Sequence, residues 1–230
     1  MKGMAVAGLL AISAISLTAC SGGSEKKAPP VPPAQQLAAA RDKLESSPAV
    51  TFTLAADGLP GKAVGVSGAK GTGTFTPPAF KGTLNATVAG VTGTVDVIAV
   101  DQDVFMKFFT PGYNKIDPKT YGAPNPAQLF NKQTGVTSLI ARTTNLAQGP
   151  QQRDGSEVLD TFTGKLPGSA VADLLVIGDR NGTYDVTYGV TDSGKELRTV
   201  VLKGPFYAGS TSTYTLRLTS LGQPVAITRP

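Results

Sequence analysis

The 230-residue sequence has no histidine, no tryptophan and a single cysteine. Without histidine, the usual general base behind a serine or cysteine nucleophile is missing, and so is the commonest zinc ligand. One cysteine builds no disulfide framework, so the fold must be held by its own packing. No phosphate-binding loop occurs either. The glycine-rich stretch "GVSGAKGTG" (65–73) lacks the Lys-Ser/Thr ending and a following helix, and reads as a strand or bulge region. Charge is sparse: 21 basic against 16 acidic residues, scattered and without the basic-aromatic clusters of a nucleic-acid groove, so no nucleic acid partner is expected. No cofactor or metal is expected. Carboxylate-pair chemistry is left formally open by Asp154, Glu157, Asp160, Asp173 and Asp179. Each lies in a turn-rich or polar setting that suits a solvated surface carboxylate.

The position of the one cysteine is informative. Lys2 precedes an apolar run, "GMAVAGLLAISAISL" (3–17), which has the length of a signal-peptide core and is short for a membrane span. Leu17-Thr18-Ala19-Cys20 then resembles a bacterial lipobox, which implies removal of residues 1–19 and lipidation of Cys20 as a membrane anchor. An ordinary secretory signal with an incidental cysteine is the alternative. Removal of 1–19 takes away only Lys2, leaving 20 basic against 16 acidic residues. That surplus suits an anionic membrane surface, and equally a plain solvated surface. Residues 20–33, with "SGGSEKKAPPVPP", hold almost nothing able to enter a core and read as a tether reaching about 40 Å when stretched.

From residue 34 the pattern is that of a folded domain, 34–230. In "PAQQLAAARDKLESSP" Ala34, Leu37, Ala38, Arg41 and Leu44 follow helical spacing until Pro48. The period then drops to two. Val50, Phe52 and Leu54 share a strand face, and a meander follows with Leu84, Ala86 and Val88 on one inward face, Val95, Val97 and Ala99 on the next, and Val104, Met106 and Phe108 on a third. Asp101-Gln102 is a tight turn. At "NPAQLFNKQTGVTSLIARTTN" Asn125 caps, Pro126 suits a first turn, and Gly135 separates two short helices carrying Leu129, Phe130, Val136, Leu139 and Ile140. Strands resume in "SEVLDTFTGKL", "GTYDVTYGVT", "KELRTVVLKG", "STYTLRLTS" and "QPVAITRP", with a helix at "PGSAVADLLV" and a hairpin turn at "TDSGKE". About ten strands and three or four helices imply an α+β domain. Its inward faces use small and medium aliphatics, which fits either a tightly packed core or an underfilled one.

The order of these pieces resembles the LppX/LprG family of mycobacterial and related actinobacterial lipoproteins. The match rests on Pro126 with Leu129-Phe130-Asn131, Gly135-Val136 and Leu139-Ile140, then Asp154-Gly155 and Thr161-Phe162-Thr163-Gly164, and on "LTSLGQPVAITRP" as a closing strand. It departs from many relatives where they place tryptophan: Leu221 stands before the closing glycine, and "YDVTYGV" has no indole.

The resemblance implies a strongly bent antiparallel β-sheet, a half-barrel, with α-helices on its concave face enclosing an apolar cavity. It also implies a non-catalytic carrier of multi-acylated lipids or glycolipids, such as phosphatidylinositol mannosides, lipoarabinomannan precursors or triacylglycerol. Such carriers work from a membrane-anchored position on the outer face of the cell membrane, some of them beside a major-facilitator exporter. On this reading Leu84 reaches the cavity. Alternation adds Ala86, Val88, Val50, Phe52, Val95, Val97, Val104, Met106 and Phe108, and the covering helices add Leu129, Val136, Leu139 and Ile140. Core packing accounts for each of these positions equally well. A structural or adhesive envelope protein with a solid core is the competing expectation. A glycan hydrolase using paired carboxylates is a third.

Overall fold

A computed structural model describes residues 31–230 apart from 62, 89, 109 and 110. The expected signal, Cys20 and most of the tether lie outside the described residues. Helix α1 (Pro33–Ser46) starts on a proline, whose missing N–H costs nothing in a first turn, and stops before Pro48. Its buried face is Leu37, Ala40 and Leu44, while Ala34 is exposed and Ala38 and Arg41 are half-buried, so the apolar stripe is narrower than the sequence spacing suggested.

Twelve strands follow: β1 (Ala49–Asp57), β2 (Gly65–Phe75), β3 (Pro78–Val88), β4 (Val91–Val100), β5 (Asp103–Lys107), β6 (Asn114–Ile116), β7 (Thr144–Gln148), β8 (Gln152–Asp154), β9 (Glu157–Pro167), β10 (Thr183–Thr191), β11 (Leu197–Gly204) and β12 (Ser212–Gly222). They form one antiparallel sheet in the order β6-β5-β4-β3-β2-β1-β12-β11-β10-β9-β7, and β8 shares the outer edge of β9 with β7. The sheet is not closed. Its terminal strands are short, which limits the unpaired edge offered to other chains. The seam is the pairing of β1 with β12, where Phe52 faces Leu218 and Leu54 faces Leu216. Shifts of register interrupt the β1–β12, β2–β3 and β10–β11 ladders, local bends of the kind that bulges produce.

Between β6 and β7 lie 3-10 helices at Pro118–Tyr121 and Pro126–Phe130 and the short helix α2 (Ser138–Arg142); α3 (Gly168–Leu175) lies between β9 and β10. Asn125 caps as expected, its side-chain oxygen accepting from the Ala127 N–H, and its amide also donates to the Asp101 carbonyl at 2.9 Å. The α1 helix is tied to the β10–β11 hairpin by Lys43, which donates to the Gly194 carbonyl at 2.8 Å and pairs with Glu196 at 3.0 Å.

The core forms against one sheet face. Val50, Phe52, Phe80, Val97, Phe162, Val186, Tyr188 and Leu218 cluster there with Leu37 and Leu44 of α1, Phe130, Leu139 and Ile140, and Val171 and Leu174 of α3. Phe130 touches both Phe52 and Phe75, with ring centroids 5.6 and 5.7 Å away. Gly73 makes room for it: a Cβ there would fall within the Phe130 ring.

The opposite face carries a smaller cluster of Ala79, Ile98 and Val100, with Phe105, Tyr113 and Ile227 against it. Ile227 corrects the sequence reading, because "QPVAITRP" is not a strand. β12 already has β1 and β11 as neighbours, so no ladder is open to the chain beyond Gly222, and Pro224 and Pro230 lack the N–H that a ladder needs. The segment leaves the sheet instead. Arg229 ends it with a bond from Nε to Asp103 at 2.7 Å, and Lys115 and Arg229 together hold the Asp103 carboxyl below its usual range.

The Phe130 contact yields a direct test. Gly73→Ala forces the ring to move, and overpacking of this kind costs about 1–3 kcal/mol. Its urea midpoint should fall accordingly; a midpoint equal to the wild type would mean that the ring is not seated on β2.

Candidate functional site

Between the sheet face and its helical cover the side chains leave a cavity of about 160 Å³. Six of the twelve strands contribute to its wall. β1 supplies Val50, Phe52 and Leu54; β2 and β3 supply Val66, Ala69, Phe75, Phe80 and Leu84; β10 to β12 supply Tyr188, Leu197, Val200, Leu202, Tyr214, Leu216 and Leu218. The cover is Leu44 of α1, the segment Pro126 to Ile140, and Leu174, Leu175 and Ile177 at the end of α3.

Polar groups in this wall are few. The Tyr188 hydroxyl shares a bond of 2.8 Å with Thr143, and the Tyr214 hydroxyl reaches the Tyr207 hydroxyl and donates to the Val66 carbonyl, both at 3.1 Å. Burial pushes the Tyr188 phenol up to about 12, the bond to Thr143 offsetting part of the effect; burial also raises Tyr214. Both rings are held neutral far above physiological pH. Thr137, the remaining hydroxyl of the wall, is 2% exposed and has no partner.

A second hollow of about 400 Å³ adjoins the first, since Ala123, Pro124, Leu129 and Leu174 border both. It is more polar than the cavity: Gln102, Asp117, Lys119, Asn125, Gln128, Thr134 and Asp173 share its lining with Pro118, Ala123, Pro124, Leu129, Leu174 and Val176. Several of these groups are already engaged. Asp117 accepts from the Lys119 N–H at 3.0 Å, Gln128 donates to the Asp101 carbonyl at 2.9 Å, and Asp173 pairs with Arg180 at 2.8 Å. Its rim includes Val176, exposed and at φ 62°, a backbone region that β-branched side chains rarely adopt.

Of the residues proposed from sequence, Val50, Phe52, Leu84, Leu129, Val136, Leu139 and Ile140 meet in the cavity wall. Val95, Val97 and Val104 face the same core but are not in the wall, and Met106 and Phe108 pack beside them half-buried. The reason is lateral position: the 3-10 helix Pro126–Phe130 packs on β2, β3 and β4, and its Phe130 fills the space there. Ala86 is half-buried near the end of β3, opposite Gly93, and the side chain of Val88 lies outside the described residues. Missing from the sequence proposal were Val200 and Leu202 of β11 and Tyr214, Leu216 and Leu218 of β12. Their alternation in "RTVVLKG" and "STYTLRLTS" was a usable signal. The five carboxylates are all engaged: Asp154 pairs with Arg217, Glu157 with Arg198, Asp160 with Lys195 and Asp173 with Arg180, and Asp179 accepts from the Asn181 N–H.

A family model described as "LppX_LprAFG lipoprotein" matches residues 32–227. The chain belongs to this family. Among solved structures, the fold is similar to the lipoprotein LppX of Mycobacterium tuberculosis, with a TM-score of 0.64 at 19% identity over 85% of this chain and 98% of that one. It is also similar to LprF of Mycobacterium bovis, with a TM-score of 0.70 at 12% identity over 86% and 96%. No curated protein matches the chain by sequence. At these identities the two structures speak for the fold. Membership of a lipoprotein family agrees with the lipobox-like "LTAC" (17–20), and among the described residues no helix is long and apolar enough to cross a membrane.

The dryness of the wall is measurable. The neutral phenol is the buried form of Tyr188, so the fold loses stability as pH climbs from about 10, where an unfolded tyrosine ionises, towards about 12. Tyr188→Phe, which keeps five of the six tyrosines, should match the wild-type ultraviolet titration below pH 11 and should soften the alkaline loss of stability. A difference already present near pH 10 would show that water reaches the ring.

Proposed function

We propose that the protein is a membrane-anchored carrier that shelters the acyl chains of a lipid or glycolipid in the cavity and moves it across the cell envelope. In this reading the sheet bends as a half-barrel around the helices, and Cys20 and residues 20–33 hold domain 34–230 close to the outer face of the membrane that supplies the cargo. The observation that carries the proposal is the wall itself. Apolar side chains from β1–β3, β10–β12 and all three helices converge on one space with a single unengaged polar group, Thr137. A wall of that kind suits hydrocarbon, each buried methylene contributing about 0.8 kcal/mol.

The adjoining polar hollow is the natural seat for a headgroup. Its charges are mixed and largely engaged, which suits the sugar part of a headgroup better than its phosphate. Phosphatidylinositol mannosides, lipoarabinomannan precursors and triacylglycerol all present two or more chains that such a cavity would shelter, and an exporter of the major-facilitator type would be a fitting donor or acceptor.

The volume sets a condition on this function. About 160 Å³ lies below the roughly 300–1,000 Å³ of ordinary ligand pockets, and is closer to a small dry cavity lined by leucine and phenylalanine. Loading of a multi-acyl lipid therefore requires the helical cover to move outward. If the cover were fixed, this volume would favour the rival reading, a structural envelope lipoprotein with a nearly solid core.

Leu84→Trp tests the assignment at one position of the wall. It places an indole in the wall, and on the carrier reading lipid co-purifying with the protein should fall to less than half of the wild-type amount while the melting temperature shifts by only a few degrees. Unchanged occupancy in a folded variant would remove Leu84 from the binding site.

A further inference from the structure

Thr137 is the one feature of the cavity that a purely hydrocarbon guest leaves unexplained. It is 2% exposed, and its Oγ1 is among the buried side-chain oxygens that have no hydrogen-bond partner. Nor does it cap α2: the residue has φ −70° and ψ −24°, helical rather than extended, and its side chain makes no bond to the helix. A buried, unpaired hydroxyl is costly, and valine, of nearly the same shape, would carry no such cost.

The position is held firmly. Val136 donates its N–H to the Leu129 carbonyl at 2.9 Å, Ser138 donates to the Gly135 carbonyl at 3.0 Å, and Gly135 is packed so closely on the Leu129 and Asn131 carbonyls that no side chain fits there. A buried water is a poor partner for Thr137, because it needs two or more polar neighbours and the other hydroxyls of the wall, on Tyr188 and Tyr214, are engaged.

Depth in the site completes the argument. Thr137 lies in the apolar wall, whereas Thr134, three residues earlier, lines the polar hollow, and three residues span at most about 10 Å. Leu129, whose carbonyl accepts from the neighbouring Val136 N–H, borders both hollows, so Thr137 lies close to where the greasy and the more polar lining meet. In an acyl lipid, the group at that junction is the ester carbonyl, a strong acceptor beside a chain that offers nothing else to bond.

We infer that Thr137 is a specificity residue, whose hydroxyl donates to the ester carbonyl of a bound acyl chain and so selects O-acylated lipids over ether-linked or hydrocarbon ones. The inference rests on the carrier reading above. Entry of the chain would both widen the cavity and satisfy the hydroxyl.

The test offers the full chain, stripped of its own lipid, an equimolar mixture of dipalmitoylglycerol and the dialkyl ether of the same chain length, with bound species counted by native mass spectrometry. The wild type should take the ester over the ether by about fivefold, the scale of one net buried hydrogen bond. Thr137→Val should bring the ratio close to one with total occupancy kept and a melting temperature equal or higher, and Thr137→Ser should keep the preference. An ester preference in Thr137→Val equal to that of the wild type would overturn the inference, and so would a wild type that binds both lipids equally. A wild type that binds neither lipid would overturn the carrier reading itself.

Discussion

A twelve-stranded sheet whose ends do not meet presents one broad apolar face that water must not reach, and the burial of that face organises the rest of the molecule. Helix α1 supplies part of the cover through Leu37, Ala40 and Leu44, and α3 supplies another part through Val171 and Leu174. The centre is closed by residues 126–140, where capped, tightly turned backbone delivers Phe130 onto Gly73 and lays Leu129, Val136, Leu139 and Ile140 over the remaining space. Because this cover is made of short helices and turns rather than of a second sheet, it meets the strands through side chains alone. An incomplete fit between those side chains is what leaves the cavity.

The contrast between the two hollows follows from the same arrangement. Side chains that point from the cover towards the sheet are leucine, isoleucine and phenylalanine, because they sit where water is excluded. Residues at the rim of the cover, Asp117, Lys119, Asn125 and Gln128, are held by capping and turn hydrogen bonds that keep the irregular backbone satisfied. On the proposed function, an amphipathic guest would meet both surfaces in the order of its own structure, chains beneath and headgroup outside.

Much of this was readable in the sequence, for physical reasons that differ from element to element. Pro33, Pro48, Asn125, Pro126 and Gly135 mark helix boundaries through backbone chemistry that acts locally, and alternation in "GTLNATV" and "TVDVIAV" reports which side chains share a face. Neither signal reports where a strand stands within the sheet. Val97 and Leu84 alternate equally well, yet Leu84 lies in the cavity wall and Val97 does not, because β4 lies further from the seam of the sheet. The pairing of β1 with β12 joins residues more than 150 positions apart, so alternation marks the shared face of Tyr214, Leu216 and Leu218, but only topology brings that face beside Phe52 and Leu54. The tail was misread for a related reason: "QPVAITRP" has strand-like composition, but β12 had no free edge to offer it. Resemblance to the LppX/LprG family supplied what local reading could not, namely the expectation of a cavity under the helices.

The central claim is that the cavity holds lipid, and native mass spectrometry of the full chain, purified from a mycobacterial host and followed by extraction and identification of what is released, tests it most directly. The account predicts a multi-acylated lipid bound at close to one per protein. A clean unliganded mass that does not change after incubation with extracted envelope lipids would contradict it and would leave a structural lipoprotein with a nearly solid core.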